Sequence, residues 1–355
     1  MLQKPMLVSI ITPCYNDVRF IEECVQSVLN QDYPLVEHII QDGASSDGTD
    51  NILKQYAKRF PNKIKYVSEL DKGQADALNK AILRSRGDIL LVLNADDCIL
   101  PHASSWAVKQ LIENPDIAVV YGDVYIIDEN SKRIEEFRAH PYDFEKLLCI
   151  ELVPPAQAAF IRRTHFEQVG FYADDTLDTC PDYEMWVRIG LKFPMKYVPG
   201  FVTKYRRHSR PLDSKSMRTT ERFVDSKKLV MNRVFDSPRM PLGIKKLRKR
   251  AYGGLYFWAA VTEFGLQAKT PFWGFVYLSL SAKSYRLSLL KRFSVYFILY
   301  AKRFIRKVLK VTLIGLPNRL LEKLTKVGKN LEKWQRILNE CLAEKVKEKN
   351  TKNNL

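Results

Sequence analysis

The sequence lacks the marks of a disulfide-bonded or membrane-spanning chain. Its six cysteines are scattered with no Cys-x-x-Cys pair, and no apolar signal segment precedes the first predicted strand. The most apolar stretch of the C-terminal part, residues 271–282, is too short to cross a bilayer and is bounded by Lys269 and Lys283. We therefore expect a protein of a reducing, cytoplasmic compartment with no segment that spans a membrane.

Two further features are absent from the sequence. No glycine-rich phosphate loop follows the first predicted strand, which argues against a nucleotidyltransferase. The chain also has no internal repeat. Its hydrophobic content of 46% and charged content of 27% are close to the averages of globular proteins, so a packed core is expected.

The positive charge of the sequence is confined to its C-terminal part. The formal net charge is +17, but residues 241–355 hold 25 basic and 6 acidic residues, whereas the first 240 hold 32 and 34. A basic patch in the N-terminal region would have indicated nucleic-acid binding. Instead the excess lies in a region where residues 293–311 mix apolar and aromatic side chains with five lysines and arginines, which predicts a basic amphipathic helix.

Apolar runs of strand type alternate with helical patterns through the first hundred residues. Strands are predicted at residues 7–12, where Pro13 ends the run, and at 37–41, 64–67 and 89–93, and helices at 19–29, 52–60 and 74–83. This alternation predicts an α/β fold with a mostly parallel sheet and helices on both faces.

The pattern changes after Pro101. We predict a helix at 103–112, a hairpin of short strands at 118–121 and 124–127, and a helix at 182–191. Residues from 220 onward read as helices separated by prolines and glycines. The predicted organisation is therefore a domain of residues 1–215 followed by a basic, helical region of residues 216–355.

Acidic turns follow two of the predicted strands. Asp42 comes directly after the second strand, and Asn94, Asp96 and Asp97 follow the fourth. The carboxyl ends of parallel strands meet at the edge of the sheet where ligands bind. Two adjacent carboxylates are costly there unless a cation neutralises them, which favours a divalent metal that holds a phosphorylated substrate. The alternative is an ordinary acidic turn.

Four other positions carry candidate ligand-binding features, each with a structural alternative. Tyr15 could stack on a nucleobase or cover the core. Gly43 would let a ligand approach the backbone next to Asp42, whereas Asp47 and Gly48 further along could form only a turn. The helix start after Lys72 suits an anion, or is a charged and solvated turn. Asp182, also at a helix start, could take a proton from a hydroxyl group or could cap the helix.

Taken in order, five segments resemble the family 2 glycosyltransferases of the GT-A fold. They are residues 9–16, 42–49, 72–80, 93–97 and 182–188, and the resemblance covers about residues 6–210. Five motifs in this order are far more specific than any one of them. The resemblance implies inverting transfer of a sugar from a nucleotide-diphosphate sugar, most often a UDP-sugar, with Mg²⁺ or Mn²⁺.

The resemblance also implies catalytic and metal-binding roles. Asp182 would be the catalytic base, Asp97 the main metal ligand, and Asp96 a contact to the ribose or the metal. Residues 205–208 resemble a Tyr-Arg-x-His segment that often closes over the diphosphate in this family, which makes His208 a second candidate metal ligand.

Several residues would contact the donor if the resemblance holds. Pro13 and Tyr15 would line the base pocket, and Asp42 would bind the uracil. The full predicted set of nucleotide-sugar contacts is Thr12, Pro13, Tyr15, Asp42, Asp71, Gly73, Asn94, Asp96 and Arg206.

The sequence departs from the family pattern at two positions. Asn94 replaces an aspartate often found two places before Asp96, which could weaken metal binding. Pro181 replaces the acidic residue that often precedes the base, which weakens the assignment of Asp182 as the base.

These observations predict a metal-dependent inverting glycosyltransferase. Its donor would be a nucleotide-diphosphate sugar, and its acceptor a hydroxyl of a glycan or lipid-linked saccharide in cell-surface polysaccharide synthesis. Because anionic lipid attracts each nearby Lys or Arg by about 1 kcal/mol, the basic C-terminal region predicts a peripheral enzyme on the inner face of the membrane, with no nucleic-acid partner.

Three alternatives stay open from the sequence. A sugar nucleotidyltransferase could also use an aspartate pair and a metal, and a nucleic-acid-binding protein would explain the positive charge. A catalytically inactive interaction module would be consistent with Asn94. The sugar, the acceptor hydroxyl and the oligomeric state are not indicated by any motif.

Overall fold

The computed structural model describes residues 5–170, 177, 179–207, 220–266, 277 and 279–281. The strands in these ranges are β1 (Val8–Cys14), β2 (Val36–Asp42), β3 (Ile64–Ser68), β4 (Ile89–Val92), β5 (Cys98–Ile99), β6 (Val119–Ile127), β7 (Arg133–Phe137), β8 (Ala159–Arg162) and β9 (Met195–Arg206). The helices are α1 (Ile21–Leu29), α2 (Thr49–Arg59), α3 (Gln74–Arg84), α4 (Ala103–Glu113), α5 (Phe144–Leu148), α6 (Arg163–Val169), α7 (Pro181–Gly190), α8 (Thr220–Phe235), α9 (Leu242–Lys246) and α10 (Arg248–Leu266).

The described strands form one sheet in the order β3-β2-β1-β4-β8-β6-β9-β5, and β7 pairs with β6. β1 runs parallel to β2 and β4, and β2 runs parallel to β3. β8 is antiparallel to both β4 and β6, whereas β6 and β9 are parallel. The predicted α/β fold with flanking helices is confirmed. The strands β1 to β4, which the sequence predicted, pair with one another in parallel. The strands β5 to β9 form both parallel and antiparallel pairs.

The apolar run of β1 reflects burial on both faces of the sheet. All seven of its residues are buried. One core cluster packs Val8 and Ile10 of β1 against α4, and a second packs Ile40 of β2 with Leu53 of α2. Strands covered on both faces need continuous apolar sequence, which is why β1 was recognisable from its residues alone.

The predicted hairpin of residues 118–127 is wrong, because these residues form the single strand β6. Gly122, between the two predicted strands, lies where the register between β6 and β9 shifts. A Cβ atom at Gly122 would lie 2.6 Å from the carbonyl oxygen of Gly200 on β9. The glycine therefore allows a close approach of two strands and does not reverse the chain.

Besides the two-residue β5, the strands β7, β8 and β9 were not predicted from the sequence, and the predicted β1 ended too early. β1 continues through Pro13 to Cys14. β8 has four residues, all five residues of β7 are exposed, and β9 contains Pro199 and Gly200, which read as a turn. None of the three strands has the clean alternation or long apolar run by which strands are recognised.

The chain divides into two compact units, Met1–Ala251 and Tyr252–Leu355. α8 and α9 belong to the first unit, and the functional division drawn at residue 215 stays a prediction. Over the part of the chain that the structure describes, no helix combines the length and apolarity needed to cross a bilayer. The predicted amphipathic helix of residues 293–311 lies outside the described residues.

Candidate active site

A cavity of about 340 Å³ lies beyond the carboxyl end of β4, between α3, α7 and α8. Its lining residues are Gln74, Leu78, Val92, Asn94, Val153, Ala156, Gln157, Cys180, Pro181, Asp182, Tyr183, Phe223 and Lys227. The cavity brings together Asn94 and Asp182, two predicted site residues from distant parts of the sequence. Its position agrees with the rule that open α/β sheets bind ligands beyond the carboxyl ends of their strands.

Asp182 lies in the first turn of α7, which begins at Pro181. The N-cap position of α7 is Cys180, and no side-chain capping hydrogen bond is present at this described helix start. The alternative role of Asp182 as a helix cap is therefore not supported. Its carboxylate is half-buried at the cavity wall, where a proton-accepting group could reach a bound hydroxyl.

The Asp96–Asp97 turn borders this cavity through Asn94. Asp97 is fully buried, and its carboxylate accepts hydrogen bonds from the backbone N–H of Arg206 at 2.8 Å and from the side-chain amide of Asn94 at 3.3 Å. Burial, and then the charge of Asp96, raise the pKa of Asp97. Two neighbouring carboxylates in a buried turn favour the approach of a cation.

The carboxylate oxygens of Asp96 and Asp97 are of the kind that fits Mg²⁺ or Mn²⁺, although both oxygens of Asp97 accept protein hydrogen bonds in this structure. These ions need only one or two protein carboxylates and complete their coordination with water and substrate phosphates. Within the described ranges no group of three or more His, Cys, Asp or Glu side chains is arranged to hold a metal. Asp96 and Asp97 would therefore hold an ion only together with a phosphorylated substrate. His208, the second predicted ligand, lies outside the described residues.

The side chain of Arg206, a predicted donor contact, is hydrogen-bonded to protein groups. Its side chain is 1% exposed, and its guanidinium donates hydrogen bonds to the carbonyl oxygens of Asp96 and Asp128 at 2.9 and 3.1 Å and to Glu23 at 2.5 Å. These hydrogen bonds use the guanidinium N–H donors that could otherwise bind a diphosphate. The side chain and backbone of Arg206 support the turn that carries Asp97, and its predicted contact with the donor stays a prediction.

Glu23 of α1 is a supporting residue that the sequence analysis missed. Burial would raise the pKa of Glu23, but the hydrogen bond from Ser131 and the charge and hydrogen bond of Arg206 outweigh it, so this pKa lies below its ordinary value. Glu23 and Arg206 are 183 residues apart in the sequence. No local pattern could have paired them.

Tyr15, Gly43 and Asp71 meet just beyond the ends of β1, β2 and β3. The side chain of Tyr15 is 57% exposed. A Cβ atom at Gly43 would lie 2.7 Å from Oδ2 of Asp71 and 3.3 Å from Cδ2 of Tyr15. The absence of a side chain at Gly43 thus lets an aromatic face and a carboxylate approach one another, the combination that the predicted nucleobase pocket requires.

Asp42 and Thr12 are both buried, which differs from the direct donor contacts predicted for them. The carboxylate of Asp42 accepts hydrogen bonds from the backbone N–H of Ser45 at 3.0 Å and from the hydroxyl of Ser68 at 2.6 Å. The hydroxyl of Thr12 lies 2.8 Å from Nε2 of His38. Protein groups thus engage both side chains, and Asp42 ties the loop after β2 to β3.

The start of α3 connects the predicted nucleotide side to the cavity. Gly73 is exposed, has φ +117°, and donates its N–H to Oδ1 of Asp71 at 2.8 Å. The next residue, Gln74, lines the cavity, and its amide lies 3.3 Å from Oδ1 of Asn94. Pro13, by contrast, is buried within β1.

Three residues other than glycine adopt left-handed backbone conformations around the site. Asn16 follows β1, Ala44 follows β2, and Cys180 precedes α7, with φ of 56°, 62° and 63°. Such conformations cost about 1–3 kcal/mol each and cluster at functional sites. Asn16 also accepts a hydrogen bond from the backbone N–H of Ser46 at 2.9 Å, so the loops after β1 and β2 are linked.

The comparisons with known proteins agree with this architecture. Residues 9–170 match the family model described as Glycosyl transferase family 2. The chain is 27% identical over 213 residues to the uncharacterized glycosyltransferase MJ1057 of Methanocaldococcus jannaschii, over 58% of this chain and 72% of that protein. It is 27% identical over 197 residues to chondroitin synthase of Escherichia coli, over 56% of this chain and 28% of that protein. The chain spans about a third of the length of several of its curated relatives.

Two solved structures share the fold. TarS residues 1–349 of S. aureus, in complex with UDP-GlcNAc, gives a TM-score of 0.59 at 15% identity over 84% of this chain and 81% of that chain. The mannosyltransferase PcManGT of Pyrobaculum calidifontis, in complex with GDP-Man and Mn²⁺, gives 0.56 at 20% identity over 97% and 87%.

Together, the sheet topology and these likenesses show that the chain has the GT-A fold. Residues 9–170 match the family 2 glycosyltransferase model, and the resemblance found in the motifs of the sequence is confirmed.

Proposed function

We propose that this protein transfers a sugar, with inversion, from a nucleotide-diphosphate sugar to a hydroxyl group of a glycan or lipid-linked saccharide in cell-surface polysaccharide synthesis. The observation that carries the proposal is the single cavity lined by Asn94 and Asp182, with Asn94 hydrogen-bonded to Asp97. The cavity thus combines a proton acceptor, Asp182, with a residue of the turn that suits a metal and a diphosphate. A chondroitin synthase among the relatives supports a polysaccharide product, and the UDP-GlcNAc and GDP-Man complexes support a nucleotide-sugar donor.

Asp182 is the base in this mechanism. It removes the proton of the acceptor hydroxyl as the hydroxyl oxygen attacks the anomeric carbon from the face opposite the nucleotide diphosphate. The bond from the anomeric carbon to the diphosphate oxygen breaks as the new glycosidic bond forms, and the electron pair leaves with the diphosphate. A single displacement of this kind inverts the anomeric configuration and needs no covalent intermediate.

Asp96 and Asp97 would hold Mg²⁺ or Mn²⁺. Such an ion, when bound, supplies Lewis-acid stabilisation of the negative charge on the departing diphosphate. The 3.3 Å hydrogen bond from the side-chain amide of Gln74 to Asn94 connects the start of α3 to the acidic turn. Tyr15 and Asp71 would receive the base, and stacking on the Tyr15 ring would contribute about 1–3 kcal/mol, as in other nucleic-acid contacts. UDP is the nucleotide that the family resemblance favours.

We also propose that the enzyme works in the cytoplasm, bound peripherally to the inner face of the membrane. The described part of the basic region supports this: Leu242 of α9 is 75% exposed, and Arg239, Lys246 and Lys249 around it are exposed as well. Exposed apolar and cationic side chains together bind anionic lipid surfaces.

Product release over a panel of nucleotide sugars tests the proposed activity. Purified full-length protein with MnCl₂ should release a nucleoside diphosphate from one UDP- or GDP-sugar, faster with a saccharide acceptor present. Release of pyrophosphate from a nucleoside triphosphate and a sugar phosphate would instead identify a nucleotidyltransferase. Absence of both products over the whole panel would favour a non-catalytic role.

A further inference from the structure

Gln157 carries the one polar side chain between Leu152 and Ile161 in the sequence. It lies in the middle of a short 3₁₀ helix, Ala156–Ala158, that leads directly into β8. The residues that follow it, 158–161, are all buried. An amide at the entry to a buried apolar strand departs from the pattern that core packing requires, and such departures concentrate at functional sites.

The side chain of Gln157 is available to a ligand. Gln157 is half-buried and lines the cavity that also contains Asp182 and Asn94. Among the residues that the structure describes, none forms a hydrogen bond with the amide of Gln157 or with the carboxylate of Asp182. Asn94 differs, because Gln74 and Asp97 already engage its side chain. Accessible polar groups of this kind bind water until a ligand replaces it, so two side chains of the cavity can each accept a ligand group.

The chemistry of these two groups suits the hydroxyls of a sugar. A glutamine amide both donates and accepts hydrogen bonds, as a hydroxyl does, whereas a phosphate oxygen only accepts them and is repelled by the carboxylate of Asp182. Lys227 also lines the cavity, where Cys180 and two aromatic rings engage it. Apolar walls, on which the C–H face of a pyranose can pack, are formed by Leu78, Val92, Val153, Ala156 and Phe223.

The size of the cavity fits one sugar ring. Its volume of about 340 Å³ is near the lower end of the range of about 300–1,000 Å³ that ligand pockets span. A whole nucleotide sugar needs more room, and Tyr15 and Asp71 of the candidate base pocket are not among the lining residues. The cavity therefore suits the sugar ring that reacts beside Asp182, with the nucleotide bound elsewhere.

We propose that Gln157 is a specificity-determining residue, which forms a hydrogen bond with one ring hydroxyl of the pyranose beside Asp182. The proposal rests on the proposed glycosyltransferase function, which supplies a sugar to the cavity. The pyranose is either the sugar of the donor or the sugar of the acceptor. A sugar that lacks this hydroxyl leaves the amide without a partner in the closed complex, and such a site rejects it.

Three variants of the full-length protein isolate the amide of Gln157. Gln157→Leu replaces it by an apolar group of similar size, and Gln157→Asn draws it back by one methylene group. Gln110→Leu is the matched control, because Gln110 is also half-buried but lies on α4 and is not a lining residue of the cavity. Thermal unfolding verifies that each variant is folded, and if Gln157→Leu is not, Gln157→Asn replaces it in every comparison.

Deoxy sugars provide the readout, in two arms. The first measures release of nucleoside diphosphate without acceptor, from UDP-GlcNAc, UDP-glucose and GDP-mannose and from deoxy analogues of the donor that reacts. The second uses the methyl glycosides of glucose, galactose, mannose and N-acetylglucosamine, and their deoxy analogues, as acceptors.

We expect wild type to lose about tenfold in kcat/KM with one deoxy analogue, in one of the two arms, because the amide then lacks its partner. Gln157→Leu should show about the same tenfold loss with the parent sugar and no further loss, within about twofold, with that analogue. Gln110→Leu should behave as wild type does. The effect in the first arm identifies the donor sugar, and the effect in the second arm alone identifies the acceptor sugar.

Two results would overturn the proposal, and they differ. If wild type and Gln157→Leu discriminate equally against every deoxy analogue in both arms, Gln157 contacts no ring hydroxyl, and the proposed function stands. A purely structural role of Gln157 gives this result, because it lowers turnover of all sugars alike and leaves the discrimination unchanged. If wild type releases nucleoside diphosphate from none of the donors, the proposed function itself is contradicted.

Discussion

At the residue scale, the buried arginine of β9 organises the acidic turn. Arg206 donates from its backbone to Asp97 and from its side chain to the carbonyl of Asp96, and it pairs with Glu23. One residue thereby holds the carboxylate of Asp97 and the backbone of Asp96. This explains how the chain holds a turn suited to a metal although Asn94 replaces the aspartate often found in the family.

We predict that Arg206→Ala lowers the free energy of unfolding by about 2–4 kcal/mol, because it removes the charge partner of the partly exposed Glu23 and the donor to the carbonyl oxygens of Asp96 and Asp128. Urea denaturation measures it. The matched control is Arg207→Ala, since Arg207 is exposed and its pair with Glu135 is exposed too, and we expect a change of about 0.5 kcal/mol or less. Equal losses in the two variants would contradict the structural role of Arg206.

Substitution of the proposed base should separate chemistry from binding. Asp182→Asn keeps the shape of the side chain but cannot accept the proton, so we expect turnover to fall by about 10²–10⁴ with donor affinity nearly unchanged.

Asp97→Ala should instead weaken donor binding that depends on Mn²⁺. Nucleotide release and calorimetry distinguish the two effects, and near-normal turnover in both variants would remove these assignments.

His38 makes the fold sensitive to acid. Burial lowers the pKa of His38 from 6.5 to about 3, because the charged imidazolium has no water in the core of the sheet. In the unfolded chain the ring takes up a proton near pH 6.5, so the stability contributed by a neutral His38 is present above that pH and is lost as the pH falls toward 3.

We therefore predict that wild type loses about 2–3 kcal/mol more stability than His38→Gln between pH 7 and pH 4.5. Urea unfolding of both proteins at the two pH values measures the difference. The glutamine can still bond to Thr12 but does not titrate. Parallel losses in the two proteins would show that His38 is protonated in the folded state or that it does not contribute.

At the element scale, the ends of β1, β2 and β3 build one surface from three loops. Gly43 follows β2 at the point where Tyr15 and Asp71 approach it from the neighbouring loops. The parallel register of the three strands brings these loops side by side. The candidate base pocket is therefore a consequence of strand order, and no single loop contains it.

We predict that Gly43→Ala weakens UDP or GDP binding by about threefold to tenfold, since the new methyl group would lie 2.7 Å from Asp71 and must displace it. Gly243→Ala is the control, because a Cβ atom there meets nothing within 4 Å. Calorimetric titration measures both. Unchanged affinity in Gly43→Ala would separate the Tyr15–Asp71 surface from nucleotide binding.

At the scale of the whole molecule, charge and catalysis occupy different parts of the chain. The cavity is built from residues between 74 and 227, whereas residues 241–355 carry 25 basic and 6 acidic residues. Electrostatic attraction to anionic lipid depends on such clustered charge and is screened by salt.

We predict that the full-length protein sediments with vesicles that contain phosphatidylglycerol, that 0.5 M NaCl releases most of it, and that deletion of residues 241–355 abolishes sedimentation. Neutral phosphatidylcholine vesicles are the control. Nucleotide binding by the truncated protein shows whether it is folded. Sedimentation of a folded truncated protein to the wild-type extent would contradict membrane binding by the basic region.

The sequence by itself determined the parallel half of the sheet and the location of the acidic turns. β1 to β4 and α1 to α3 follow from local periodicity, because strands buried on both faces and amphipathic helices each impose a short-range pattern. Asp182 and Asn94 could be chosen as site residues because their motifs are short, local and ordered along the chain.

Only the tertiary structure decided how distant side chains combine. It buried Asp42 and Thr12, turned Arg206 toward Glu23 and Asp97, and brought Lys227 of α8 into one cavity with Asp182. The physical reason is that hydrogen bonds and charge pairs depend on distances in space, and a local pattern carries no information about a partner more than a hundred residues away.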